Sequence, residues 1–115
     1  MQPGVNKSEF MANMLLLIIS SEEEKIALPL NLAKNQIKAG NKIKAEFWGP
    51  SQETLSGNNE LRKEYVSALN EKPKGCINYA KKHNIETKLS DDIELVPVGD
   101  YLAKAVEEGY EIITF

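Results

Sequence analysis

Residues 14–20 read MLLLIIS, and this run decides the fold class. Six consecutive apolar residues, Met14 to Ile19, leave no polar face, the pattern of a central strand covered by helices above and below it. A helix should follow at once. Ser21 with Glu24 three residues later has the spacing of a capping box, and Glu22 and Glu23 put negative charge where a helix N-terminus favours it. Ile26, Leu30, Ala33 and Ile37 then recur at helical spacing up to the stop at Gly40, so the helix is carried through Pro29.

Downstream the same alternation of strand and helix repeats. Lys42 to Trp48 alternates polar and apolar residues through Ile43, Ala45 and Phe47 and ends at Gly49–Pro50. A long helix between two strands makes them parallel. Ser51 to Gly57 reads as a short helical turn, and Asn59 as the cap of a helix burying Leu61, Tyr65, Ala68 and Leu69. Only Pro73, Lys74 and Gly75 precede Cys76, so a strand here is very short or extends into Cys76 and Ile77. Cys76 to His83 has helical character, closed by Asn84 in a left-handed cap. Ile93 to Val98 is a β-branched strand. Gly99 and Asp100 open a helix burying Leu102, Ala105 and Val106, and Tyr110 to Phe115 is the last strand. The sum is a three-layer α/β/α domain built on an open sheet of about five mainly parallel strands.

Composition agrees with one domain and narrows the function classes. The chain has 115 residues, 42% hydrophobic and 27% charged, close to globular averages. Residues 1–13 read as a flexible leader and residues 14–115 as the single α/β domain. The formal net charge of −3 argues against direct nucleic-acid binding, which rests on clustered Lys and Arg. The apolar run at 14–19 is far short of the roughly 20 residues of a membrane span, and the leader lacks the basic flank and apolar core of a secretory signal. One cysteine permits no internal disulfide, which fits a reducing cytoplasm. One Cys and one His cannot supply an ordinary zinc site, so no metal is expected. No glycine-rich phosphate loop follows the first strand, and the acidic loop from Ser20 to Glu24 would repel phosphate. No nucleotide or other cofactor is expected.

In an open parallel sheet, ligands bind beyond the carboxyl ends of the strands. That rule selects Ser20 and Ser21 after the first strand, Trp48 and Gly49 after the second, Gly75 with Cys76 after the third, and Gly99 after the fourth. Cys76 is the strong nucleophile among them. It sits at a predicted helix start, in a stretch from Lys72 to Lys88 that holds five lysines and one acid. Such a field favours thiolate over thiol. Against this stands the tendency of free cysteine to be buried as a small hydrophobe. His83 lies two helical turns beyond Cys76, too far for direct proton transfer, and reads as an exposed helix-end residue.

Four segments, MLLLIIS with LNLAKNQIKAG, IKAEFWGP, GCINYAKKHNI and VPVGDYLAKAVEEGYEIITF, resemble in order and spacing the DsrE/DsrF-like superfamily, which includes sulfur-relay subunits of the TusD type. The resemblance covers roughly residues 14–115. It implies a flavodoxin-like sheet and assembly as a homo-oligomer, whether dimer, trimer or hexamer. It further implies that Cys76 accepts sulfane sulfur from a donor protein as a persulfide and passes it to an acceptor protein. His83–Asn84 stands where the family often has Arg-Gly, and the segment before Cys76 is more polar than the family's strand. The expected function is thus a cytoplasmic sulfur carrier or sulfurtransferase component. The alternative is a non-catalytic oligomeric module that binds a small ligand or partner near Trp48 and Gly99, with Cys76 structural.

Overall fold

A computed structural model describes residues 11–115. The run at 14–19 forms the middle of the sheet. Strand β1 (Asn13–Ile18) pairs with β2 (Lys42–Phe47) on one side and with β5 (Glu111–Thr114) on the other. Beyond β2 come β3 (Lys74–Cys76) and β4 (Glu94–Val96), giving the order β4-β3-β2-β1-β5 with every pair parallel. Most of the expected leader, residues 1–10, lies outside the described residues. Asn13 belongs to β1 because the pairing with β2 reaches it: Asn13 stands opposite Lys42, whose N–H donates to Ala12 O at 2.9 Å.

The layers follow from the connections. Helices α1 (Glu23–Lys38), α2 (Pro50–Ser56) with α3 (Asn59–Ala68), and α4 (Ile77–Lys82) with α5 (Glu86–Leu89) each carry the chain one strand further in the same direction. Right-handed crossovers therefore stack all of them on one face. There Ile26, Leu30, Leu55, Leu61, Tyr65 and Leu89 close over Leu16, Ile18, Ile43, Ala45 and Phe47 as the main core. Helix α6 (Val98–Glu107) carries the chain back across the sheet to β5 and lies on the opposite face, where Ala105, with Tyr101 and Leu102, packs on Leu15 and Leu17. This is the three-layer, flavodoxin-like architecture expected, with the second outer layer reduced to one helix.

Local details depart from the sequence reading in instructive ways. The first helix is capped by Glu22, with no side-chain bond, and Ser20 Oγ accepts from Glu22 N at 3.2 Å, so Ser21 and Glu24 form no capping box. Asn58, one residue before the expected cap, accepts from Leu61 N at 3.0 Å and starts α3. Strand β4 ends at Val96 because Pro97 becomes the cap of α6, which therefore opens at Val98 instead of Gly99. Val106 is 58% exposed: a helix standing alone on its layer meets the sheet along one narrow stripe. Asn84 adopts φ 56°, the left-handed cap expected of it. Among the described residues, no helix is long and apolar enough to cross a membrane.

Candidate functional site

All five strands are parallel, so their carboxyl ends share one edge of the sheet, and the first turn of α2 ties that edge together. Gly49, at φ +70°, takes a backbone conformation that side chains rarely adopt, and the chain turns there directly into Pro50 at the head of α2. Buried Ser51 then donates Oγ–H to Ile18 O at 2.7 Å and its N–H to Ile19 O at 3.0 Å. Thr54 Oγ1 donates to Ser21 O at 2.6 Å. Gln52, fully buried, turns its amide toward β3: Nε2 donates to Cys76 O at 3.0 Å, and Oε1 accepts from Cys76 N at 3.3 Å.

Cys76 is thus the last residue of β3, the cap of α4, and the residue held by Gln52. Connections leave β3 and β4 for opposite faces, α4 toward the main core and α6 toward the other side. Cys76 stands opposite Val96 at the carboxyl edge of the sheet, the edge on which open α/β sheets bind ligands, two strands away from the reversal of strand order between β1 and β5. The thiol-bearing residue is 3% exposed. Gly75 packs on the main-core face, where an added Cβ would lie 2.9 Å from Ile93 Cγ2. Strand alternation puts Cys76 on the α6 side with Lys74.

The structure brings Ser20, Ser21, Trp48, Gly49, Gly75 and Cys76 to this edge. Trp48 is 41% exposed there. Gly99 follows β4 at the same edge, exposed in the first turn of α6, with nothing within 4 Å of a Cβ built on it. The lysines do not converge on the thiol as the sequence suggested. Lys81 and Lys82 occupy the last turn of α4, and Lys74 pairs with Glu94 at 3.3 Å. His83 Nδ1 lies 2.9 Å from Glu53 Oε1, and its ring stacks on Tyr79 with centroids 4.1 Å apart. It caps the far end of α4 and takes no part at Cys76.

A second polar cluster, which the sequence reading missed, occupies the α6 face. Alternation in β2 sends Ile43, Ala45 and Phe47 into the main core and Lys44 and Glu46 to the other side. Lys44 reaches Glu108 at 3.5 Å and Glu71 at 3.8 Å, and lies over the Tyr110 and Tyr101 rings. Tyr101 donates its hydroxyl to Glu71 Oε1 at 3.3 Å, and burial, with the acids around it, raises its pKa. Lys44, Glu71, Tyr101 and Glu108, with Lys74, Glu94 and Lys104, line a cleft of about 280 Å³ beside α6. Cys76 does not line it. Beside the cluster, Glu46 is fully buried, with no hydrogen-bond partner on either carboxyl oxygen. Burial pushes its pKa up to about 8, against the opposing pull of Lys74 across the strand pair. The signal was available in outline: a carboxylate in the second half of an internal strand that is covered on both sides.

Among the described residues, no group of three or more His, Cys, Asp or Glu side chains is placed to hold a metal ion. No family model matches the chain, and no curated protein matches it. A solved structure of a conserved protein of unknown function from Bacteroides thetaiotaomicron is similar to it. The TM-score is 0.71 at 16% identity, over 88% of this chain and 94% of that one, a likeness of fold.

Proposed function

We propose that the chain is a cytoplasmic sulfur carrier of the DsrE/DsrF-like kind, holding sulfane sulfur as a persulfide on Cys76. The observation that carries this reading is the position of Cys76 at the carboxyl end of β3, on the edge of the parallel sheet where ligands bind. No second cysteine is present to resolve the persulfide into an internal disulfide. In the transfer, the Cys76 thiolate attacks the terminal sulfur of a donor persulfide. A new S–S bond forms to Cys76, the donor's own S–S bond breaks, and the donor leaves as a thiolate. The proton stays with the transferred sulfur and no net oxidation occurs. Passing the sulfur to an acceptor thiolate repeats the exchange with Cys76 as leaving group.

At 3% exposure the thiol must be uncovered for this exchange. β3 and β4 are three-residue strands at one side of the sheet, where few backbone bonds resist local opening. Incubation with a persulfide donor followed by intact-mass measurement tests the reading. A gain of one sulfur atom, lost in Cys76→Ser, is the expected result; an unchanged mass refutes it.

The same burial favours a second reading, in which Cys76 is a small packed residue and the domain is a non-catalytic binding module. Native-state alkylation separates the two. A structural thiol resists the reagent until the protein unfolds, whereas a carrier thiol reacts in the folded state.

A further inference from the structure

The two edges of the sheet are not equally protected. Natural sheets blunt an edge by keeping it short, charged or interrupted by proline. β4 obeys: it has three residues, carries Glu94, and is followed at once by Pro97. β5 does not. Its residues Glu111, Ile112, Ile113 and Thr114 are all exposed, and no described residue covers the side away from β1.

The direction of each β5 backbone group follows from two hydrogen bonds. Phe115 N donates to Leu17 O at 2.8 Å, and Phe115 O accepts from Ile19 N at 2.8 Å, so both groups of Phe115 point at β1. Alternation turns Ile113 the same way, and turns the N–H and C=O of Ile112 and Thr114 outward. An antiparallel partner strand must present its own outward groups in matching register. A second β5 does so when Ile112 faces Thr114 of the other copy, which makes four backbone bonds about a two-fold axis through Ile113. The register is also compatible in charge: each Glu111 faces the other copy's Phe115, and the two Glu111 carboxylates lie at opposite ends. The other strand a second copy offers is β4. Glu94 N of that strand donates to Pro73 O on the β3 side, which leaves only the groups of Leu95 facing outward. A β5–β4 contact would make half as many bonds and propagate without closing.

We propose that β5 is a dimerisation edge, pairing antiparallel with β5 of a second copy around Ile113 to form one continuous ten-stranded sheet. This symmetry has a narrow signature. Residue 113 alone lies opposite itself, as a non-hydrogen-bonded pair with Cα atoms about 4.5 Å apart, within the span a disulfide bridges. In a Cys76→Ser background, Ile113→Cys should give a covalent dimer in high yield under mild oxidation, and Ile112→Cys should give little. By analytical ultracentrifugation the unmodified chain should sediment as a dimer. Thr114→Pro, which removes an outward N–H and no bond to β1, should sediment as a monomer with unchanged circular dichroism. A monomeric unmodified chain, a dimer indifferent to Thr114→Pro, or equal cross-linking at 112 and 113 would each overturn the proposal.

Discussion

The side-chain amide of Gln52 closes two hydrogen bonds onto the main chain of Cys76, one to its C=O at 3.0 Å and one from its N–H at 3.3 Å. An amide paired with a peptide group in this way acts like one more strand residue beside β3. It also explains why a three-residue strand holds its place at the carboxyl edge. Both Gln52 and Cys76 are buried, so neither partner can turn to water instead.

Gln52→Leu should therefore be costly. It strands a buried N–H and a buried C=O, each worth about 1–3 kcal/mol when left unpaired, and the expected loss is about 2–4 kcal/mol by urea denaturation. Gln52→Glu keeps the acceptor but sets a second acceptor, and a buried charge, against Cys76 O, so it should cost at least as much. Native alkylation of Cys76 should quicken in both variants, since the clamp restrains the segment that must open. A Gln52→Leu variant as stable as the parent would show that the two bonds contribute nothing net.

Two glycines at the same end of the sheet should respond with opposite signs. An added Cβ at Gly75 meets Ile93 Cγ2 at 2.9 Å and Leu95 Cδ2 at 3.1 Å, inside the main core. Gly75→Ala should cost about 1–3 kcal/mol through overpacking. At Gly99 the same methyl meets open space on an exposed helical turn. Gly99→Ala should raise stability by about 0.5 kcal/mol through the lower entropy of the unfolded chain. Thermal melts of the two variants check both signs; destabilisation by Gly99→Ala would mean that this turn has contacts its exposure does not reveal.

The contrast between these positions shows what could be read from the sequence. Met14 to Ile19 announced a central strand because a parallel sheet covered on both faces leaves no polar side for it to show. The alternation in KIKAEF likewise placed Ile43, Ala45 and Phe47 in the core. β3 was barely visible, since KGC makes a strand only by virtue of its neighbours and of Gln52, which lies 24 residues away. Cys76 was found as a position and not as an environment: its place at the carboxyl edge follows from chain order, whereas its burial and the dispersal of the lysines are tertiary facts. Glu46 was hidden for a related reason. Its polar slot in an alternating strand looks solvent-facing until α6 is known to lie on that side.

Glu46 yields the last prediction. Folding raises its pKa from 4.5 to about 8, chiefly by burial. Between those values the unfolded chain releases the proton and the folded chain keeps it, so the unfolded state is favoured increasingly as pH rises. Stability should thus be greatest below about pH 4.5, as far as this one group is concerned. It should decline by up to about 1.4 kcal/mol per pH unit toward pH 8, then level off. Glu46→Gln holds a neutral group of the same shape in place and should flatten that slope, gaining most over the parent near pH 8. Urea midpoints across pH 5 to 8 for both proteins provide the check. Parallel curves would mean that Glu46 is ionised in the folded state and that the positive charge of Lys74, opposite it across β2 and β3, outweighs its burial.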